Sequence, residues 1–318
     1  MESPPRKKAK MSCLPKVPHN ACQTIIDPNG DLFLIARWPK IHHFKVSSKI
    51  LSLASPVFQS IFTDETQGPM NVTIDARCII DALKIILKII HFQMEDIPKA
   101  LSLQYLLEIA RFTERYEMHK SLGMFPEIWV NNALERCEKS QYTKDIHNWI
   151  YIFFVFENHD RFPEATKILT YEFGPTIEDV MVESLQPVLE AINERRSFNL
   201  RAWLDSIDDD YQSYIKSTKC AHAACFAQEF VAGFFTRILK KYHVLRRAQP
   251  MDDFLTLEHL SEMFTELSSG LRNCPPCPAG NIHYRAIEMK PQFDEFEPFR
   301  LVDFKICRPP TLGPYPGE

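Results

Sequence analysis

Six cysteine and histidine side chains in the later part of the chain have the residue types and spacing of metal ligands. They form two groups, Cys220, His222 and Cys225, and then Cys274, Cys277 and His283. The two-residue gap between Cys274 and Cys277 also occurs in zinc knuckles. If the first group is helical, His222 and Cys225 share a face, while Cys220 points about 160° away from His222. A zinc site would require this helix and the later cysteines to come together.

Ordinary packing is the competing explanation for these residues. Cys220 and Cys225 lie in an alanine-rich stretch, and free cysteine is commonly a core residue. Pro275 and Pro276 suit an extended tail. Metal sites usually combine two compact ligand pairs with recognisable spacing. We therefore predict that the chain binds no metal and no cofactor.

Catalytic motifs are absent from the sequence, which contains no Gly-x-Ser-x-Gly elbow, no Walker loop, no Gly-x-Gly-x-x-Gly fingerprint and no His-Glu-x-x-His pair. Asp208, Asp209 and Asp210 are consecutive, so their side chains diverge on a helix, and they predict a charged helix start or a solvated loop. His42 and His43 are also adjacent, and neighbouring side chains of an extended segment point to opposite faces. We predict that the protein is not an enzyme.

Length and charge limit the classes of protein to which the chain can belong. The 318 residues allow about two domains, each with its own core. A formal net charge of −4 is too small to indicate a polyanionic partner. The basic residues Lys240-Lys241 and Arg246-Arg247 lie near a predicted helix end, where they complement the helix dipole. Nucleic acid is therefore not an expected partner.

No segment has the length and hydropathy of a membrane span. The longest apolar run, from Trp149 to Phe156, is far shorter than the roughly 20 residues that cross a bilayer. No apolar segment follows the basic N-terminus, so we do not predict a secretory signal. The nine cysteines show no disulfide framework, which indicates a reducing compartment, the nucleus or the cytoplasm.

Residues 1–24 are rich in proline, lysine and small polar residues, which predicts a disordered arm. Within this arm, a compact basic cluster has the composition of a nuclear-import signal. The cluster consists of Arg6, Lys7, Lys8 and Lys10. The alternative is a solvated charged tail, and a start at Met11 would remove the cluster.

The segment from Phe44 to Phe58 organises the next part of the chain. Phe44-Lys45-Val46 predicts a strand, paired in a hairpin with a preceding strand from Leu32 to Ala36. A helix follows and should stop by Ser55, because the residue before a proline avoids the α region. Ser55 then caps a second helix, with Pro56 as its first residue.

A further strand and two helices are predicted after this segment. Asn71 to Asp75 alternates between apolar and polar residues, as a strand does. Ile79 to Phe92 and Leu101 to Arg115 are mostly apolar with a narrow polar stripe, which is typical of buried helices. His91 belongs to the polar stripe of the first helix, so we expect its side chain to face solvent.

This order of elements resembles the BTB/POZ domain, in the version common in fungal proteins. The resemblance rests on Ser-Lys-Ile-Leu-Ser-Leu-Ala-Ser-Pro-Val-Phe at residues 48–58, on Ile89-Ile90-His91-Phe92, and on Leu106 to Ala110. It covers about residues 27–122 and implies an α+β fold, a small sheet with helical hairpins. Nine residues are implied as the core of this domain: Asp31, Phe44, Val46, Ile50, Leu51, Ala54, Ser55, Pro56 and Phe58.

The remainder of the chain is predicted to be helical up to a proline-rich end. Apolar residues recur at helical spacing as far as Gly270, which is the predicted end of the last helix. The predicted organisation is therefore a disordered basic arm (1–24), a BTB/POZ domain (25–122), an all-α domain (123–272) and an extended proline-rich tail (273–318).

The resemblance implies a non-enzymatic module that binds other proteins, as a scaffold or an adaptor. Family members that serve cullin-based ubiquitin ligases usually carry a hydrophobic-x-Glu element after the phenylalanine-bearing helix. Here Thr63, two positions before Glu65, replaces the large apolar residue, so a cullin adaptor is an alternative rather than the prediction. A nuclear transcriptional regulator is the other alternative, and its support is the basic arm.

Many BTB domains dimerise by exchanging an N-terminal helix and strand between subunits. The corresponding region of this chain, Lys16 to Ile26, contains Pro18 and shows no helical stripe. We therefore do not predict a tight swapped homodimer.

Overall fold

The computed structural model describes residues 22–36, 40–63, 71–74, 79–172, 183–216, 227–242, 256–272 and 299–305 of the chain. These residues divide into two compact units. The first unit contains the described residues up to Lys144, together with Tyr151–Asn158. The second contains Asp145–Ile150 and the described residues from His159 onward.

The first unit contains a four-stranded sheet and several helices. Its strands are β1 (Cys22–Ile25), β2 (Leu32–Ala36), β3 (His42–Val46) and β4 (Asn71–Ile74). Its helices are α1 (Ser48–Ala54), α2 (Pro56–Thr63), α3 (Ile80–Ile90), α4 (Leu103–Arg115), α5 (Phe125–Glu135) and α6 (Lys139–Lys144), with a 3₁₀ turn at His119–Leu122. Helix α7 (Ile146–Val155) is divided between the two units.

The strand order is β1-β3-β2-β4. β2 and β3 form the predicted hairpin, in which Leu34 lies opposite Phe44 in an antiparallel pair. β1 pairs in parallel with β3, and β4 pairs in parallel with β2. Because side chains alternate between the two faces of a sheet, Leu34, Phe44 and Val72 share one face, and all three are buried. Much of the core of the unit lies on this face.

Strand β1 lies partly within the segment predicted as a disordered arm. It pairs with β3 in the register that sets Thr24 opposite Phe44, and the Thr24 hydroxyl forms a 2.8 Å hydrogen bond with Nε2 of His42. Most of its side chains are exposed, and its one large apolar residue, Ile25, is among the exposed ones. The prediction of disorder was wrong here because a strand held by pairing rather than burial shows no hydrophobic alternation.

The turn before β2 depends on Gly30. The Asp27 carbonyl oxygen accepts the Gly30 N–H at 3.0 Å, and the Asp27 carboxylate accepts the Asn29 N–H at 2.8 Å. A Cβ at position 30 would lie 2.5 Å from the carbonyl oxygen of Val46. The glycine is therefore required by the close approach of two backbone segments rather than by a positive φ.

The first unit continues past the predicted domain boundary at residue 122. Trp129 of α5 is fully buried, and its indole N–H donates to the carbonyl oxygen of Pro98 at 2.7 Å. The side chain of Asn132 donates to the carbonyl oxygen of Lys99 at 3.0 Å. Both bonds hold α5 to the loop before α4. Helical periodicity identifies a buried face but not the element that buries it, so it could not assign α5 to a unit.

In the second unit, the described elements after α7 are all helical. They are α8 (Arg161–Glu172), a 3₁₀ turn (Glu183–Leu185), α9 (Gln186–Lys216), α10 (Ala227–Lys241), α11 (Leu257–Arg272) and α12 (Val302–Lys305). α9 contacts both α8 and α10. Arg196 of α9 is buried, and this burial lowers its pKa to about 10. None of the described helices combines the length and hydropathy needed to cross a bilayer.

Three sequence predictions for this unit differ from its structure. Asp208, Asp209 and Asp210 lie inside α9 rather than at a helix start or in a loop, because the helix runs through them. Helix α11 continues past Gly270. Residues 299–305, part of the predicted extended tail, include α12 and a buried phenylalanine, Phe299. The guanidinium group of Arg195 lies 3.7 Å from the centroid of the Phe299 ring. This tertiary contact explains the burial of Phe299.

Candidate interaction surface

Ser55 ends α1 and begins α2 through one buried hydroxyl group. Its backbone is extended, with φ −146° and ψ 121°, as expected for a residue before proline. Its Oγ accepts the N–H of Phe58 at 3.1 Å and donates to the carbonyl oxygen of Tyr116 at 2.5 Å. Pro56 is the first residue of α2. The predicted helix stop and cap are confirmed, and the same hydroxyl ties α2 to the end of α4.

Phe58 lies in an aromatic cluster between α2 and α4. Its side chain is fully buried, and its ring stacks on that of Tyr116, with centroids 4.6 Å apart and planes at 4°. The ring of Phe62 lies 6.0 Å from Phe58, and that of Phe112 lies 4.4 Å from Tyr116. Pairs at such distances contribute about 0.5–1.5 kcal/mol beyond the burial of area. The sequence predicts that Phe58 is buried but not that it stacks on Tyr116.

The nine residues implied as the core of the domain differ in burial. The buried ones are Phe44, Val46, Leu51, Ser55 and Phe58, and the half-buried ones are Ile50 and Ala54. Pro56 is exposed, because the first turn of α2 places it at the surface. Asp31 is exposed as well.

Asp31 holds the start of α1 rather than filling the core. Its carboxylate accepts the N–H of Ser48 at 2.8 Å and the Ser48 hydroxyl at 2.6 Å. Burial acts to raise the pKa of Asp31, but the hydrogen bonds from Ser48 act to lower it, and the net change is downward. A carboxylate at this position also interacts favourably with the positive end of the helix dipole.

His91 is half-buried, so the prediction of a solvent-facing side chain was wrong. Its Nδ1 donates to the carbonyl oxygen of Leu87 at 2.8 Å, and its Nε2 accepts the N–H of Ser47 at 3.1 Å. The ring joins the end of α3 to the N-cap of α1. Burial lowers the pKa of His91, although the bond to Leu87 and the nearby Asp27 carboxylate act to raise it. Helical spacing could not reveal this, because it does not show which element packs over the polar stripe.

The surface of the first unit offers apolar side chains and strand edges. Its large exposed apolar residues include Ile25, Ile41, Leu53, Phe92, Met94 and Met124. β1 and β4 are the outermost strands of the described sheet. An outer strand presents backbone N–H and C=O groups with which a strand of another protein can pair. This arrangement suits contact with a polypeptide.

The residues singled out for metal binding and nuclear import lie outside the described part of the chain. They are Arg6, Lys7, Lys8, Lys10, Cys220, His222, Cys225, Cys274, Cys277 and His283. Within the described ranges, no three His, Cys, Asp or Glu side chains form a group that could hold a metal ion. His42 and His43 lie in β3 on opposite faces, next to the rings of Phe44 and Phe33.

Comparison with known protein families identifies the domain. The model of the BTB/POZ domain matches residues 31–124, under a third of the chain. The match runs from the Asp31 cap to the turn before α5, and so includes the hairpin, the Ser55 junction and the α3–α4 pair. A comparison with curated proteins finds no match. The predicted α+β fold is confirmed, and the matched domain is a protein-interaction module of a generally non-enzymatic kind.

Proposed function

We propose that this chain holds other proteins together through its BTB/POZ domain, as a non-enzymatic scaffold or adaptor. The observation that carries the proposal is the BTB/POZ match over residues 31–124. The exposed surface of the first unit supports it, since Leu53 of α1 is 80% exposed and β1 is an outermost strand of the described sheet. Apolar side chains and unpaired strand edges are the elements that bind polypeptides.

Affinity purification of the intact tagged chain tests this proposal. The purification is repeated with the variants Leu53→Asp and Ile25→Asp. Both side chains are exposed, so the fold should tolerate either change. We expect at least one protein to co-purify in stoichiometric amount with the wild-type chain and to be reduced with one of the variants. Recovery of no protein in stoichiometric amount would contradict the proposal.

A cullin is not the partner that we favour. Thr63, which occupies the position of the expected large apolar residue, is exposed, and its hydroxyl bonds to the carbonyl oxygen of Ser60 at 3.0 Å. We expect the purified chain to retain no cullin at micromolar concentration, whereas a BTB protein that carries the hydrophobic-x-Glu element should retain it. A stoichiometric complex with a cullin would instead favour the ubiquitin-ligase adaptor.

We also propose that the chain can enter the nucleus, in line with the basic composition of the N-terminal arm. Fluorescence microscopy of the tagged chain, with and without the double change Lys7→Ala and Lys8→Ala, tests this role. Nuclear signal should fall in the variant. An equal distribution of both proteins would favour the solvated-tail alternative and a cytoplasmic role.

A further inference from the structure

Three exposed apolar residues of the first unit lie near one corner of the sheet. We call Ile25, Phe92 and Met94 the α3 corner; their exposed fractions are 58%, 80% and 44%. The side-chain amide of Gln93 donates to the carbonyl oxygen of Ile26. This bond places the turn after α3 beside the end of β1, so residues remote in sequence meet at the same corner.

Phe92 has a backbone conformation that favours glycine. The end of α3 is a Schellman motif, in which the Phe92 N–H bonds to the Ile89 carbonyl oxygen at 3.0 Å and the Gln93 N–H bonds to the Lys88 carbonyl oxygen at 2.9 Å. The φ of Phe92 is 60°, in the left-handed region where an L side chain is strained. Folding alone does not favour a strained and exposed phenylalanine, and such strain is often found at functional positions.

Other helix ends of the described chain show that phenylalanine is not required by this motif. Glu117, after α4, and Glu157, after α7, also have a positive φ, of 52° and 60°. Both carry a charged side chain there. The apolar side chain at the end of α3 is therefore a feature of this corner rather than of the backbone geometry.

Three carboxylates lie near the α3 corner. Glu95 and Asp96 directly follow Met94 and are exposed. Asp27 lies close enough to His91 to influence its titration, which places a third carboxylate near the turn. Exposed groups of one sign attract a partner of the opposite sign and repel one of the same sign.

Three lysines lie near the carboxylates of the corner, and two of them, Lys88 and Lys45, are engaged within the domain; the third, Lys84, is close enough to Asp96 to act on its charge. Lys88 Nζ bonds to Asp96 at 2.7 Å, and the Lys88 side chain is only 18% exposed. Lys45 Nζ donates to the carbonyl oxygen of Pro28. Glu95 is exposed and has no ion-pair partner among the described residues, so its carboxylate is available to a cationic group of an approaching molecule.

We infer that the α3 corner is a docking site for a basic, apolar segment of another protein. A large apolar side chain of that segment contacts Phe92, and a neighbouring lysine or arginine meets Glu95 and Asp27. A central aromatic residue supplies most of the affinity in such contacts, and the charged rim supplies selectivity. The inference rests on the proposed protein-binding function and specifies the chemistry of one partner.

Variants of the intact chain distinguish a loss of binding at this site from a loss of stability of the fold. Phe92→Gly removes the side chain and relaxes the backbone, so the domain should remain folded. Phe92→Tyr keeps the aromatic ring. Glu117→Gly makes the corresponding backbone change at the end of α4, away from the α3 corner, and is the matched control.

Selection from a random phage-displayed peptide library on the wild-type chain tests the inference. Enriched peptides should carry a lysine or arginine beside a large apolar residue, and their Kd should rise with added salt. Phe92→Gly should raise the Kd at least about tenfold, as expected for a hot-spot residue. Phe92→Tyr and Glu117→Gly should leave the Kd close to the wild-type value.

Three results would overturn the inference. Peptides that bind wild type and Phe92→Gly equally would show that another surface binds, and would leave the proposed function intact. Failure to enrich any sequence would show that the corner does not bind short segments, while affinity purification would still decide the proposed function. Binding that appears only after Lys7 and Lys8 are changed to alanine would show that the chain's own arm occupies the corner.

Discussion

Single side chains in the first unit connect elements that are remote along the chain. The hydroxyl of Ser55 bonds to the backbone of both α2 and the residue after α4, the ring of Phe58 stacks on Tyr116, and the ring of His91 joins α3 to α1. Each contact depends on one group that a conservative substitution can remove. The contribution of each is therefore open to measurement.

Phe58→Ala should strongly destabilise the protein. The change leaves a cavity at a fully buried position and removes the stack on Tyr116, so we expect a loss of about 3–5 kcal/mol in the free energy of unfolding. Urea denaturation measures it. Leu53→Ala, at an 80% exposed position, is the control and should change stability by less than about 0.5 kcal/mol. An unchanged midpoint for Phe58→Ala would show that this ring is not part of the core.

His91 should make the stability of the protein dependent on pH. Its folded pKa lies below the ordinary value of 6.5, so the unfolded chain binds a proton first. The stability that the neutral His91 ring contributes is fully present above pH 6.5. It is lost as the pH falls below 6.5 towards the folded pKa. A proton on Nε2 would also face the N–H of Ser47, which that nitrogen now accepts.

The free energy of unfolding of wild type and His91→Gln, measured between about pH 5 and 8, checks this dependence. The pKa of His42 and that of His43 are also lowered by burial, so the variant should show a reduced slope rather than none. Identical slopes for the two proteins would exclude His91 as a source of the acid sensitivity.

Among the helices, the junction of α1 and α2 is the most directly testable. Ser55→Ala removes the acceptor of the Phe58 N–H and the donor to the Tyr116 carbonyl oxygen, and both groups lie in a buried site. We expect a loss of about 1–3 kcal/mol, the sum of a helix cap and one buried hydrogen bond.

Ser47→Ala provides the comparison, since Ser47 also caps a helix. Its hydroxyl accepts the N–H of Ile50 at 3.4 Å in a half-buried site, so the loss should be at most about 1 kcal/mol. Thermal or urea unfolding of both variants checks the difference. Equal losses would mean that the bond from Ser55 to Tyr116 contributes nothing.

At the scale of the whole molecule, we predict that the protein does not form a tight swapped dimer. The segment that would be exchanged, Lys16 to Ile26, contains Pro18 and shows no helical stripe. Sedimentation velocity should show a monomer at nanomolar concentration. A dimer that persists at that concentration would contradict the prediction, and loss of that dimer on deletion of residues 1–25 would assign it to strand exchange.

The local features of the first unit could be predicted from the sequence. β2 and β3 follow from short apolar runs next to turn residues, and α3 and α4 follow from apolar faces at helical spacing. The break at Ser55 follows from the steric effect of Pro56 on the residue before it. These features depend on neighbouring residues, which is why the predicted α+β fold and the family resemblance agree with the structure and with the family match.

The tertiary structure decided which of these residues are buried, connect elements or face solvent. β1 forms although its side chains are mostly exposed, His91 is half-buried although it lies on a polar stripe, and α5 joins the first unit through Trp129. Phe92 ends an apolar stretch and is nevertheless exposed, because α3 stops before it and its backbone turns outward. Periodicity reports only the face of an element, whereas burial and exposure depend on what remote segments pack against that face.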